Sequence, residues 1–562
     1  MPAATRLAPA LGLLLLALAL FLPGQSSLPP FDRDESRYAQ ATAQMLDTGN
    51  WVDIRFQDQP RWRYPAGIYW LQAAAVSLTG EAGARAIWSF RLPSVLGAIA
   101  AVLLTLAAGE RLLGPAAGRI AAALLAAALI LGTEARMAKT DAMLLATVTL
   151  AQLALATIYL RRDAQPPPGR GWAAVFWAAL GAGGLIKGPI ILLVSGGTIL
   201  LLAISERRWR WLGLLRPAWG VPLMLAIVLP WLIAIMVVSH GQFLDEALGR
   251  NMLAKMAEGQ ESHGAPPGYF LALLPVTFWP GSLLAVLAIP FAWRERRSPA
   301  VRFCLGWILP AWLVFELAAT KLPHYVLPTY PAIACLAAGG LLRGSARLWR
   351  PSAYWTAAGV WIAIGLGLAA LPLAATLYLD QPVDPWLVAA AAVAAVLVAA
   401  APALLRRGRT TAAIAAMLAA AWVIYAAALG RGLPRLEPLW LSPRIAAAVA
   451  RDRPCPESLL ASVPFAEPSL VFLAGTRTRL VDDAADAAAH LAADPRCALA
   501  LVGADEQADF LARLAARGIT PRALDRIDGI NYSKGRRLSL TLYGGPQAGP
   551  APAAPSRGPV TN

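Results

Sequence analysis

Two groups of side chains in this chain have the types and the spacing to do chemistry. The first lies in FDRDESRY, residues 31–38, where Asp32, Asp34 and Glu35 alternate with Arg33 and Arg37. The second is spread along the chain: Asp141 in TEARMAKTDAMLLA, Lys187 in LIKGPI, Lys321 in ATKLPHYVLPTYP, and Arg250, Lys255, Glu261 and His263 within 240–268. A carboxylate suits proton abstraction from a hydroxyl nucleophile. Cations and tyrosine hydroxyls suit a phosphate or diphosphate. A phosphate-linked lipid entering sideways from a bilayer would meet both. The plainer alternative is that the acids only cap a helix and the cations only snorkel beside apolar segments. Against it stands convergence: ionisable groups at membrane depth are costly and functional by default, and these fall on one side of the membrane in the topology below.

The elements that must hold these groups follow from local pattern. Residues 34–46 read as a helix, with acids in its first turn, where the macrodipole favours them, and Gly49 past its end. Tyr38, Thr42, Met45 and Leu46 share one face, as on a helix lying along a membrane surface. Residues 51–56 alternate and read as extended. Residues 65–76 read as a second short surface helix with Tyr69 and Trp70 at headgroup level.

Composition sets the wider frame. Hydrophobic residues make up 58% and charged residues 15% of the 562, where a soluble chain carries nearer a quarter charged. Apolar spans near 7–23, 90–109, 117–134, 141–160, 172–185, 187–204, 219–239, 269–292, 301–318, 323–342, 354–378, 385–405 and 411–429 predict a polytopic α-helical membrane protein with about thirteen transmembrane helices. The first is expected to be retained as a helix rather than cleaved as a signal. The split at Lys187-Gly188-Pro189 could equally be one broken helix. With the N-terminus inside, every second loop is basic: Arg161 and Arg162; Arg207, Arg208, Arg210 and Arg216; Arg294, Arg296 and Arg297; Arg343, Arg347 and Arg350; Arg406, Arg407 and Arg409. The net charge of +16 therefore reflects orientation in a membrane, not nucleic-acid binding.

After residue 430 the character changes. Residues 431–545 carry more acids, soluble helix patterns such as DEQADFLARLAARG, and the strand-like runs SLLASVPF and CALALVGA. They predict a small extracytoplasmic α/β domain, followed by a disordered tail over 546–562. Residues 1–430, including a first outer loop at 24–89, form the membrane domain. Cys304 and Cys335 lie in apolar spans, as packing residues do. Cys455 and Cys497 precede the two strand-like runs. Strands joined by one crossover commonly lie side by side, so these two are expected to form a disulfide in an oxidising compartment. No Cys or Cys/His spacing suggests zinc.

The motifs DRDESRYAQ, VDIRFQDQPRWRYPAGIYWLQ, EARMAKTDAMLLA, KGP, GQESHGAPPGYF and TKLPHYVLPTYPAIA together resemble the membrane glycosyltransferases that use polyprenyl-phosphate sugars. This is the group of lipid A aminoarabinose transferase and the protein O-mannosyltransferases, and the resemblance is strongest to its bacterial phospholipid-carrier-dependent members. It covers the whole chain. It implies a GT-C fold, an inner-membrane location with the C-terminal domain periplasmic, and transfer of a pentosyl or hexosyl group to an envelope glycolipid or glycan, inverting at the anomeric carbon.

Carried over residue by residue, the resemblance implies Asp34 as principal catalytic carboxylate and Asp141 as second acid. It implies Lys321, Tyr325 and Arg250 as ligands of the carrier phosphate, with Glu35, Arg37, Tyr38, Lys187 and His263 in support. Relatives usually carry lysine immediately before the proline at position 65, whereas this chain has Arg63-Tyr64. Either Arg63 supplies the missing cation or Tyr64 donates a neutral hydrogen bond. Some aminoarabinose transferases carry a zinc-binding glutamate at the position of Arg63. Arginine gives no reason to expect that metal, and no cofactor is expected. The competing expectations are a flippase for lipid-linked saccharides, a protein O-glycosyltransferase, and an envelope-anchoring protein acting through its outer domain.

Overall fold

The computed structural model describes residues 4–81, 83–247 and 264–546. By contacts the chain divides into two units: Met1–Leu28 with Met45–Pro434, and Pro29–Gln44 with Arg435 onward. The second grouping takes in part of residues 24–89, which the sequence reading kept together in the membrane domain. The first three turns of the helix Arg33–Thr48 belong with the C-terminal unit.

The first unit is helical. Each of the thirteen apolar stretches is occupied by helix. Among the described residues, eight helices are long and apolar enough to cross a membrane, including Ile87–Leu113, Asp141–Leu160, Pro217–Val238, Pro299–Leu317 and Pro351–Tyr378. The stretch around position 188 is two helices, Arg170–Lys187 and Ile190–Glu206, separated by Gly188 at φ +68°. Such a left-handed turn favours glycine.

Two other spans are interrupted, and the interruptions answer one another. One breaks at Ala128, between Pro115–Ala127 and Leu129–Glu134; the other breaks after Thr277, ahead of Pro280. Leu129 N–H donates to the Trp279 carbonyl at 3.0 Å, and the Tyr425 hydroxyl donates to the Ala127 carbonyl at 2.8 Å. In a bilayer every freed backbone group needs such a partner.

Small residues bring backbones close. A Cβ on Gly109 would meet Gly118 Cα at 2.7 Å, and one on Gly97 would meet Met143 N at 2.8 Å. Close approach of this kind drives helix association where lipid offers no hydrophobic contrast, and the Gly97 contact seats the start of Asp141–Leu160. Two fully buried arginines satisfy the chain after the first helix. Arg91 Nη1 donates to the Gln25 and Leu28 carbonyls, both at 2.8 Å, and Arg136 donates to the Leu20, Pro23 and Gly132 carbonyls.

The segment after Arg33–Thr48 departs from expectation. Only β1 (Arg55–Phe56) and β2 (Gln59–Pro60) pair, antiparallel. Before them Asn50 Oδ1 accepts from Val52 N–H and Asp53 N–H, making a side-chain-stabilised turn, so residues 51–54 are not extended strand. The helix that follows is Gly67–Thr79. Tyr69 on it is fully buried and accepts from Arg61 Nε at 3.1 Å, so it packs inside rather than anchoring at headgroups.

The second unit carries a five-stranded mixed sheet in the order β4-β3-β5-β7-β6, with β3 (Leu460–Val463), β4 (Arg479–Leu480), β5 (Leu499–Gly503), β6 (Arg522–Asn531) and β7 (Arg536–Gly544). β3 runs parallel to β4 and β5, and β7 runs antiparallel to β5 and β6. Alternate residues of the central strands feed two cores. Leu460, Leu499 and Leu501 join Ile445 on one face, while Val463, Ala500 and Val502 join Ala488 and Phe510 on the other.

The β3/β5 register sets Leu460 opposite Leu499, and upstream of it Cys455 and Cys497 are bonded with Cα atoms 5.4 Å apart. A loop of 42 residues closed in this way contributes roughly 3–4 kcal/mol by the chain-entropy estimate. Denatured protein is expected to label with a thiol reagent at Cys304 and Cys335 alone, and at all four cysteines after reduction. Full labelling without reductant would show that the bridge does not form in the cell.

Candidate active site

Within the first unit, five ionisable side chains from three helix ends and two turns converge on a buried cluster. Glu134 closes the helix Leu129–Glu134, and Lys139 lies in the turn after it. Asp141 opens Asp141–Leu160, Lys187 closes Arg170–Lys187, and His324 sits in the 3₁₀ turn Pro323–Thr329. For Asp141 and Lys187 the placement obeys the helix dipole, which favours an acid at an N-terminus and a base at a C-terminus; Glu134, an acid at a C-terminus, runs against it. The break at Gly188-Pro189 is what leaves Lys187 at such an end.

The contacts are close. Lys187 Nζ is 2.6 Å from Asp141 Oδ1, and Lys139 Nζ is 3.3 Å from Glu134 Oε1. His324 lies between the two carboxylates, Nδ1 at 3.5 Å from Glu134 Oε1 and Nε2 at 3.7 Å from Asp141 Oδ1. The Lys187 ammonium stands 5.8 Å from the centre of the Tyr64 ring, and the His324 and Tyr325 rings meet edge to face at 5.2 Å. Glu134, Asp141 and His324 offer ligand atoms within 4.8 Å of one another, a spacing a cation could use. Two ammonium groups already neutralise both carboxylates, however, so the donor set suits an ion-pair cluster beside an anion better than a divalent metal.

Other sequence candidates fall elsewhere. Lys321 is buried and donates to the Ala265 and Ala318 carbonyls, each at 2.6 Å. Tyr325 is half-buried against Phe315, with ring centres 6.1 Å apart. Arg63 and Tyr64 are half-buried. Arg250 and His263 lie outside the described residues. Asp34 belongs to the second unit, on the first turn of Arg33–Thr48, where Arg37 Nη1 reaches its Oδ1 at 3.2 Å and its side chain stays 48% exposed.

The acids beside Asp34 have structural tasks. Glu35 N–H donates to Asp32 Oδ1 at 2.9 Å, and Phe31 N–H donates to Glu35 Oε2 at 3.3 Å. This is a variant of the capping box. Of the three acids in DRDE, two therefore build the helix end and Asp34 is the one left facing outward. Tyr38 is buried.

Sequence reasoning did not single out Glu134 or His324 as site residues. The signal available was the charge density of residues 134–141 and a histidine one residue before Tyr325.

The family described as dolichyl-phosphate-mannose-protein mannosyltransferase matches residues 63–233. The undecaprenyl phosphate-alpha-4-amino-4-deoxy-L-arabinose arabinosyl transferase of Pseudomonas paraeruginosa is 31% identical over 378 residues, 66% of each chain. A Pseudomonas fluorescens transferase of the same name is 30% identical over 389 residues, covering 66% of this chain and 67% of its own. The chain belongs to the GT-C glycosyltransferases that use polyprenyl-phosphate sugars. The alignment spans just short of two thirds of the length of the P. paraeruginosa relative and about two thirds of that of the P. fluorescens one. The fold extends further than the sequence match. ArnT from Cupriavidus metallidurans, solved bound to undecaprenyl phosphate, superimposes with a TM-score of 0.71 at 21% identity, covering 96% of this chain and 98% of that one. As a member of this GT-C family, the chain carries Asp141 and Lys187 in the matched region.

Proposed function

We propose that the protein transfers one sugar from a polyprenyl-phosphate carrier to an extracytoplasmic acceptor, lipid A or another envelope glycan. The observation that carries this reading is the buried Asp141–Lys187–His324–Glu134–Lys139 cluster within a chain of this family. The relatives' names favour an amino-pentose as the sugar and undecaprenyl phosphate as the carrier. Alternating basic loops and the Cys455–Cys497 bond support a multi-pass protein of a bacterial inner membrane, with its C-terminal unit on the periplasmic side.

The reaction balances simply. The acceptor hydroxyl gives its proton to Asp34 as its oxygen forms a bond to the anomeric carbon. The bond from that carbon to the phosphate oxygen breaks, and polyprenyl phosphate leaves with the electron pair. Attack opposite the leaving group inverts the configuration. The lysines of the cluster, with Arg63 and Tyr325, offer charge and hydrogen bonds to the phosphate as its negative charge grows, the interaction that lowers such barriers most. Asp141 orients Lys187 for that task.

Purified protein in vesicles, given carrier lipid with a labelled sugar, is expected to move label onto acceptor lipid and leave free polyprenyl phosphate. Label crossing the bilayer still attached to its carrier would identify a flippase instead. In the same assay Arg63→Ala is expected to raise the carrier concentration needed for half-maximal rate about tenfold, the loss of one charge-assisted hydrogen bond. Tyr64→Lys should be tolerated. An unchanged requirement in Arg63→Ala would remove Arg63 from the phosphate site.

A further inference from the structure

Arg33, the basic residue inside DRDE, takes no part in the chemistry above, yet it makes a defined contact in the second unit. Its Nε lies 3.1 Å from Glu467 Oε2. The Glu467 side chain is 5% exposed, and its other oxygen accepts from Asn531 Nδ2 at 3.1 Å and from Ser533 Oγ at 2.5 Å. One oxygen is thus held by two neutral donors at the end of β6 and just beyond it, which turns the other toward Arg33. Two helical turns along, Gln40 Nε2 donates to Thr476 Oγ1 at 2.8 Å. Positions 33 and 40 share a face of the helix, and their partners flank the short helix Pro468–Ala474 on either side. One face of Arg33–Thr48 is therefore tied at two points to a single segment of the C-terminal unit.

Two ties on one face set the rotation of a helix about its axis. Asp34 follows Arg33 directly, so the same ties set the direction of its carboxylate. We propose that Glu467 is a positioning residue for sugar transfer, acting through Arg33 to hold the Asp34 carboxylate in its working direction. The proposal rests on the reading of Asp34 as the base. Catalytic groups must be held within about 10–20° of productive geometry, and a displacement of about 1 Å can cost roughly 10²-fold in rate.

The test uses the full chain in vesicles, with two readouts for each variant: transfer kinetics, and amide hydrogen exchange over residues 33–44. Glu467→Ala is expected to lower kcat by about 10–100-fold, to leave KM for the carrier lipid within about twofold, and to speed exchange at 33–44. Arg33→Ala, whose side chain is 45% exposed and so leaves little burial to lose, should do the same. The double variant should be no worse than either single, because both remove one interaction. Glu467→Gln keeps an acceptor for Asn531 and Ser533 and should recover part of the rate. An Arg33→Ala protein with wild-type kcat overturns the proposal, and so does faster exchange at 33–44 with kcat unchanged. If Asp34→Asn is itself fully active, the reading of Asp34 fails and the proposal falls with it. If Asp34→Asn is dead and Arg33→Ala is normal, the proposal alone fails.

Discussion

Asp34→Asn is expected to lower sugar transfer by about 10²–10⁴-fold, the range for loss of a general base, while the protein still inserts and folds. The second half follows from the division of labour among the acids of DRDE. Asp32 and Glu35 hold the helix end through the Glu35 N–H and Phe31 N–H bonds, and neither bond involves Asp34. Among the contacts of Asp34, the substitution weakens its pair with Arg37 on the helix surface, worth roughly 0.2–0.5 kcal/mol. Asp32→Asn supplies the control. Asparagine caps helices about as well as aspartate, so this variant should retain most of its activity. Equal losses in Asp32→Asn and Asp34→Asn would mean that the assay reports the integrity of the helix end rather than a base. Near wild-type turnover in a properly inserted Asp34→Asn protein would refute the assignment outright.

The contrast between these neighbouring acids shows where sequence reasoning has reach. The apolar stretches were legible because a bilayer demands near-twenty-residue runs and the runs are there. The adjacency of β3 and β5 was legible because a crossover between parallel strands leaves few arrangements. The interruptions at Ala128 and after Thr277 were not, since each depends on a carbonyl or hydroxyl contributed by a segment remote in the chain. The same applies to residues 29–44. Their amphipathic pattern fits a surface helix, but what they pack with is decided by partners such as Thr476, 436 positions from Gln40. The turn at residues 51–54 misled for a local reason: alternation of apolar Val52, Ile54 and Phe56 with polar Asp53 and Arg55 imitated a strand where Asn50 was organising the backbone. His324 went unremarked because it sits in a 3₁₀ turn, where no periodicity marks which side chains face inward. Candidate positions were thus visible where a motif carried them, and hidden where only the fold brought them together.

Lys187→Met should abolish transfer and destabilise the protein, and the cluster explains both effects. Lys187 and Asp141 are 2.6 Å apart with side chains 5% and 6% exposed. Removing one member of a buried pair leaves the other's charge uncompensated, at a cost of about 3–5 kcal/mol. His324 at 3.7 Å from Asp141 and Lys139 nearby soften that cost without replacing the contact. Asp141→Asn should be milder in stability, because the amide keeps an acceptor for Lys187, but transfer should fall by roughly 10²-fold as the ammonium loses the group that orients it. The decisive protein is the double variant, Asp141→Asn with Lys187→Met. Replacing both charges by neutral groups of similar size removes the buried-charge penalty, so thermal unfolding of the detergent-solubilised protein should return toward wild type. Transfer should not return, because no ammonium then faces the departing phosphate. Recovery of both stability and transfer would reduce the pair to a packing device. Loss of transfer with stability restored would separate the chemistry of Lys187 from its part in the fold, a separation that neither single variant can make.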